Sequence, residues 1–208
     1  MSGPRTLAVV SAGLGRPSST RLLADRLAGA AADALRAEHG ADVVIEPVEL
    51  RDHAHAMVDA ALTGFPSGDF RAAVETVTGA DGLVAVTPVF NASYGGLFKT
   101  FFDVLDRDAL DGTPALIGAT GGTERHSLAL DFAVRPLLAY LRANVVPTAV
   151  YAASADWGSG DGRLGDRVRR AGAELAALVA GRPAPAAEDP YDNPVPFETL
   201  LGSPDRAG

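Results

Sequence analysis

Apolar residues in this chain fall into short unbroken runs separated by longer stretches of helical period. The runs Thr6–Ser11 (TLAVVS), Asp42–Leu50 (DVVIEPVEL), Leu83–Val86 (LVAV), Pro114–Ala119 (PALIGA) and Val145–Ala152 predict five strands. Most lack apolar/polar alternation, the pattern of strands covered on both faces. Pro47 inside the second run points to a sheet edge, where a missing N–H costs no ladder bond.

Between the runs the period changes to that of helices. Ser18-Ser19-Thr20 opens one whose stripe is Leu22/Leu23, Leu27, Ala30/Ala31 and Ala34/Leu35, ending near His39-Gly40. Arg51–Gly68 is rich in turn residues and predicts irregular chain; Asp69–Gly79 predicts a helix with Asp69 as its N-cap. The run Leu83–Val86 turns at Thr87-Pro88, crosses a short polar and aromatic loop, and enters a helix near Gly95 that is apolar nearly all round: Leu97, Phe98, Phe101, Phe102, Val104 and Leu105. A long helix is expected over about His126–Arg142. Its apolar face is Leu128, Phe132, Leu137/Leu138 and Leu141, widened by Leu130 and Val134. Pro136 should kink or locally unwind it around Phe132. The last helix is expected over Arg163–Gly181, with Leu164, Val168, Ala171, Leu175 and Leu178 inward.

Strands alternating with helices imply an α/β fold: a five-stranded parallel sheet with helices on both faces and right-handed crossovers. Ligands bind such sheets beyond the carboxyl ends of the strands. In a flavodoxin-like order, 2-1-3-4-5, the loops after strands one, three and four converge at one switch point. The first loop, AGLGRP followed by Ser18, Ser19 and Thr20, has the outline of an anion cradle, though the three hydroxyl residues equally suit a helix cap. It lacks G-x-x-x-x-G-K-[ST] and matches G-x-G-x-x-G poorly, which disfavours a P-loop and a dinucleotide-type loop. The second loop, Pro88 to Gly95, offers Phe90 and Tyr94 as aromatic surface and Asn91 as a polar reader of a flat ligand. In the third, Thr120-Gly121-Gly122-Thr123, two adjacent residues without Cβ allow close backbone approach. His126 suits capping better than proton transfer, His53 and His55 lack a third metal ligand, and Lys99 with Asp103 forms an i,i+4 ion pair.

Composition removes further classes. A net charge of -8 argues against nucleic acid and a polybasic membrane surface. The absence of cysteine excludes disulfides, thiolate metal sites and a cysteine nucleophile. No apolar run reaches membrane-spanning length and MSGPRTLAVV has no long apolar leader core, so a cytoplasmic setting is expected. From Arg182 the chain turns proline-rich; residues 182–208 are expected to be an extension to a domain at 1–181, with Tyr191–Leu201 docking on its own or a neighbouring subunit.

Three segments taken together, Ser11–Leu23, PVFNASYGGLFKTFFD (Pro88–Asp103) and ATGGTERHSLALDFAVRPLL (Ala119–Leu138), resemble the NAD(P)H-dependent FMN reductases, over about residues 5–180. They are most similar to reductase components of two-component flavin monooxygenases, the alkanesulfonate type among them. The resemblance implies that Ser11, Ser18, Ser19 and Thr20 hold the FMN phosphate with Arg16 nearby. It implies that Pro88, Val89, Phe90, Asn91, Tyr94 and Gly95 line the isoalloxazine, and that Thr120, Gly121 and Gly122 meet its far edge. It also implies hydride transfer from NAD(P)H to FMN without a protein acid or base, reduced flavin for a partner monooxygenase, and a homodimer or homotetramer built on the two broadly apolar helices. The alkanesulfonate-type reductases carry a tyrosine where this chain has Phe132, which keeps the ring without the hydroxyl. Other readings of the same scaffold are an FMN-holding quinone, azo or metal-ion reductase, an electron carrier, and a flavin-free binding protein.

Overall fold

The structure, a computed structural model, describes residues 4–158 and 162–182. In chain order its elements are β1 (Arg5–Ser11), α1 (Ser19–His39), β2 (Val43–Glu49), α2 (Ala54–Thr63), α3 (Gly68–Thr78), β3 (Gly82–Phe90), β4 (Ser93–Tyr94), α4 (Gly96–Val104), β5 (Pro114–Gly121), α5 (Arg135–Tyr140), β6 (Asn144–Val145), β7 (Val150–Ala153) and α6 (Arg163–Ala180). The sheet runs β2-β1-β3-β5-β6, with β7 also beside β5 and β4 beside β3. All pairings are parallel except that of β3 with β4.

This is the expected order with two modifications. The fifth strand is split: β5 advances from Ala115 to Gly118 while its neighbour advances from Val145 to Val150, so the chain around Pro147 bulges out of register. Arg135 donates to the carbonyls of Val146 and Pro147 at 2.8 and 3.0 Å, and Glu174 accepts from the Thr148 N–H and hydroxyl at 2.7 and 2.6 Å, which satisfies the bulge. The second modification is the added antiparallel strand β4. β2 takes the expected edge, with Pro47 opposite Val9.

Both sheet faces are covered, which is why the strands are apolar without alternation. Leu7, Val9, Val84, Val86, Leu116 and Val150 pack with α1 and α6 through Leu23, Leu27, Leu35, Leu164 and Leu175. The alternate residues Ala8, Val10, Ala85, Ile117 and Ala119 pack on the other face with Phe70, Phe98, Phe101, Phe102, Leu130, Val134 and Leu138. On the first face Gly172 lets α6 approach α1 closely, since a Cβ there would lie 2.7 Å from the Ala30 carbonyl carbon.

Helix α1 spans the expected residues, capped by the Ser18 hydroxyl, which accepts from the Arg21 N–H, and stopped by Gly40 at φ 62°. Three expectations are corrected. Residues 51–68 are not irregular: a 3₁₀ turn at Leu50–His53 leads into α2, which buries only Met57 and Ala60 and so carries a weak stripe. The N-cap of α3 is Ser67, not Asp69, which lies in the first turn. The helix expected over 126–142 is not continuous. A 3₁₀ turn at Glu124–His126 is followed by a π-helical segment at Leu130–Val134 and then α5.

The π segment is the local unwinding expected near Phe132. Pro136 has no N–H to give the Phe132 carbonyl, and the Arg135 N–H reaches Leu130 instead, a five-residue step. The extra residue rotates the helix phase. Leu130, Val134, Leu138 and Leu141 are buried, whereas Leu128 and Phe132, expected on the same apolar face, are 60% and 77% exposed. The expectation for Tyr191–Leu201 lies outside the described residues.

Candidate functional site

Strand register sets the site. Ser11 is opposite Val86 and Pro88 opposite Thr120, so the ends of β1, β3 and β5 lie side by side along the carboxyl edge. A cleft of about 410 Å³ opens there. It is lined by Leu14, Gly15, Pro17, Ser18, Ser19 and Thr20, by Pro88, Val89 and Phe90, by Thr120, Gly121 and Gly122, and by Ser154 and Trp157. The three loops singled out in the sequence therefore meet in one depression. None of the lining side chains is charged.

The first loop is drawn against α1. A Cβ on Gly13 would sit 2.0 Å from the Ser18 hydroxyl oxygen, so only glycine lets the chain fold back onto the helix start. The Arg16–Pro17 peptide is cis. Ser18 and Ser19 open toward the cleft, while the Thr20 hydroxyl is buried in a 2.8 Å hydrogen bond with the Thr120 hydroxyl. That bond ties the first loop to the third. Ser11, the last residue of β1, is fully buried with its hydroxyl unpaired.

The second loop corrects the expected turn at Thr87-Pro88: β3 continues to Phe90 and folds back through a two-residue hairpin into β4. Asn91 and Ala92 both have positive φ, 49° and 68°, the backbone of a type I′ turn. The proline is tolerated because β1 stops short of it. The Val86 carbonyl accepts from Ala12 on the β1 side, and Pro88, two residues on, turns its nitrogen to the same side beyond the end of β1. Buried Thr87 pins the hairpin base, its hydroxyl accepting from the Gly95 N–H and donating to the Pro88 carbonyl, each at 2.9 Å. Ala92 has no side-chain means of relieving its left-handed backbone. Ala92→Gly is expected to stabilise the fold by about 1 kcal/mol, seen as a rise in thermal midpoint.

The third loop rests on Tyr151. Its hydroxyl donates to the Thr123 carbonyl at 2.8 Å, and a Cβ on Gly121 would lie 2.0 Å from that same oxygen. Burial and then the negative charge of Glu124 push the Tyr151 phenol up from its ordinary pKa, so it remains a neutral donor.

Of the residues expected at the site, Ser18, Ser19, Thr20, Pro88, Val89, Phe90, Thr120, Gly121 and Gly122 line the cleft. The other five do not. Ser11 is buried at the end of β1, and Arg16 points outward to Asp52 at 3.2 Å. Asn91 occupies the hairpin tip, Tyr94 packs its ring 6.0 Å from Phe98, and Gly95 is buried at the start of α4. Sequence reasoning missed Ser154 and Trp157, which arrive from the loop after β7. A lone tryptophan four residues beyond an apolar run was the available signal.

The remaining candidates stay outside the cleft. His126 is exposed on its 3₁₀ turn, and the His53 ring packs 5.8 Å from Phe70. Among the described residues no group of carboxylates and histidines could hold a metal. Lys99 pairs with Asp103 at 2.5 Å as expected. Among the described residues no helix is long and apolar enough to cross a membrane.

Comparison with known proteins agrees with this architecture. Residues 5–158 match the profile of the NADPH-dependent FMN reductase family. The chain is 36% identical over 187 residues to an FMN reductase (NADPH) of Pseudomonas aeruginosa, covering 88% of this chain and 96% of that one. It is 36% identical over 186 residues to the NADH-dependent FMN reductase SfnE of Pseudomonas putida, covering 87% and 95%. Among solved structures, an oxidoreductase from Corynebacterium diphtheriae superposes with a TM-score of 0.84 at 46% identity, covering 88% of this chain and all of that one. The apo form of the NADH:FMN oxidoreductase EmoB superposes at 0.73 with 27% identity, covering 86% and 92%. A flavodoxin, WrbA-like protein from Agrobacterium tumefaciens, at 19% identity and a TM-score of 0.58 over 85% and 98% of the two chains, shares the fold. With its three strand-end loops gathered on one cleft and its length matched by these relatives, the chain belongs to the NADPH-dependent FMN reductase family and is an oxidoreductase that uses FMN and NAD(P)H.

Proposed function

We propose that the cleft at the ends of β1, β3 and β5 seats FMN while NAD(P)H reduces it, and that the reduced flavin leaves for a partner monooxygenase. The observation that carries this is the junction of a glycine-bearing first loop, an aromatic second loop and a paired-glycine third loop around one uncharged depression. The donors fit the cofactor. Ser18, Ser19 and the free N–H groups at the start of α1 suit a phosphate, and the buried Ser11 hydroxyl at the end of β1 is unpaired. When bound, the flavin supplies the redox chemistry by accepting a hydride from the nicotinamide.

The protein's part is to bind, orient and exclude water. Pro88, Val89 and Phe90 offer an apolar wall for a flat ring, and Gly121 and Gly122 let backbone approach its edge. Thr87 and the Thr20–Thr120 pair hold those walls fixed. Release suits the absence of charge: no lysine or arginine lines the cleft to hold a phosphate tightly. Leu128, in the turn before the π segment, Phe132 within it and Tyr140 at the end of α5 turn outward, 60%, 77% and 65% exposed. They favour a second copy of the chain packing there, in a homodimer or homotetramer.

The test is steady-state oxidation of NADH and NADPH with and without added FMN, FAD and riboflavin. The protein is expected to be colourless and to oxidise a nicotinamide nucleotide only when flavin is supplied. Protein that is yellow as purified and reduces quinones or azo dyes without added flavin would instead establish the reading in which FMN stays bound. Absence of turnover with either nucleotide would overturn both.

A further inference from the structure

The cleft poses an electrostatic question. Arg16 is engaged with Asp52, and Arg21 with Asp25 and Glu49 at 2.7 and 2.9 Å, so the cations of the first loop and first helical turn serve carboxylates. Trp157, the chain's only tryptophan, closes the cleft from the turn after β7. That turn is pinned: the Asp156 carboxylate accepts from the Ala153 N–H at 2.8 Å and from Arg167 at 3.0 Å. The indole packs on the α1 and α6 side of the sheet. The Arg26 guanidinium of α1 lies over the ring, 5.0 Å from its centroid. Among the described residues Arg26 has no ion-pair partner, so its charge is not neutralised by a carboxylate.

We propose that Trp157 is a positioning wall of the flavin cleft on the phosphate side, and that Arg26, stacked on it, sets how well the site distinguishes FMN from the unphosphorylated flavin. The proposal rests on the flavin reading given above. A guanidinium stacked on an indole is held in place by the ring quadrupole without a competing anion. Arg26 is exposed and does not itself line the cleft, so its field acts from behind the indole and is weakened by salt. Such an arrangement favours a dianionic phosphate without a direct salt bridge, so the ligand is attracted yet remains free to leave. Trp157 contributes apolar contact to either flavin, whereas Arg26 acts only on the phosphorylated one.

The test is equilibrium binding of FMN and of riboflavin to the full chain, read as free flavin after ultrafiltration, at low and high salt. Arg26→Gln, at an exposed helix position, is expected to weaken FMN binding about 5-fold at low salt and less than about 2-fold at high salt. Riboflavin affinity should be unchanged, and Arg26→Lys should restore most of the FMN affinity. Trp157→Ala is expected to weaken both flavins about 10-fold, and Trp157→Phe, which keeps an aromatic wall and secures the test should the alanine variant not fold, about 3-fold. Equal affinities in wild type, Arg26→Gln and Trp157→Phe would overturn the proposal, as would an equal loss of both flavins in Arg26→Gln. Failure of the underlying reading has a separate signature: wild type and Ser18→Asp would bind FMN alike, and the proposal would fall with it.

Discussion

Ser18→Asp is expected to weaken FMN binding by roughly three orders of magnitude while leaving riboflavin binding within a few-fold of wild type. The substitution places a carboxylate at the mouth of α1, where the flavin phosphate is proposed to sit. Two like charges about 4 Å apart in a site of effective dielectric near 20 repel by about 4 kcal/mol, and each 1.4 kcal/mol is about tenfold in affinity. The fold should not suffer. Aspartate caps a helix as well as serine does, so the bond accepted from the Arg21 N–H is retained, and a negative charge at a helix start is favourable. A thermal midpoint equal to or above that of wild type, together with loss of FMN-dependent turnover at ordinary flavin concentrations, is the expected pair of results. Unchanged FMN affinity would show that the phosphate lies elsewhere.

Gly121→Ala should damage both stability and flavin affinity through a clash that can be removed elsewhere. The new Cβ would lie 2.0 Å from the Tyr151 hydroxyl oxygen and 3.1 Å from the ring carbon that bears it. Either the tyrosine gives up its 2.8 Å bond to the Thr123 carbonyl or the third loop lifts off β7. Overpacking of this kind costs about 1–3 kcal/mol, and the lost hydrogen bond about 1 kcal/mol more. A fall in thermal midpoint of roughly 4–16 °C follows for a domain of this size, with FMN affinity down at least about tenfold. Tyr151→Phe alone loses only the hydrogen bond. Combined with Gly121→Ala it deletes the clashing oxygen and should recover much of the lost stability, giving a coupling of about 1 kcal/mol or more in a double-mutant cycle. Strictly additive effects would show that the glycine is needed for a reason other than the tyrosine beneath it.

The outcome at individual residues shows where sequence reasoning stops. The cap and stop of α1 were legible because Ser18 and Gly40 act on neighbouring backbone, and local chemistry leaves local signatures. Pro136 announced the disturbance near Phe132 for the same reason, but not which side chains it would turn outward. That depends on how the phase-shifted segment meets the sheet, and the packing chose Leu130, Val134 and Leu138 over Leu128 and Phe132. The hairpin at Asn91-Ala92 was hidden because alanine seldom takes positive φ, so its strongest determinant, the Thr87 clamp on Gly95, lies at the hairpin base and not in the turn. Arg16 resembled a phosphate ligand in the sequence, yet Asp52, thirty-six residues away, is its partner in the fold.

The sequence alone determined the alternation of strands and helices, the parallel sheet they imply and the three loops that gather at its carboxyl edge. Those follow from apolar periodicity and from glycine, proline and hydroxyl chemistry, which operate over a few residues. The tertiary structure decided which of the candidate side chains face the cleft, the union of first and third loops through Thr20 and Thr120, and the arrival of Trp157 with Arg26 behind it. Each of these joins residues from separate elements, and sheet register and helix phase, fixed only when the whole core packs, bring them within reach.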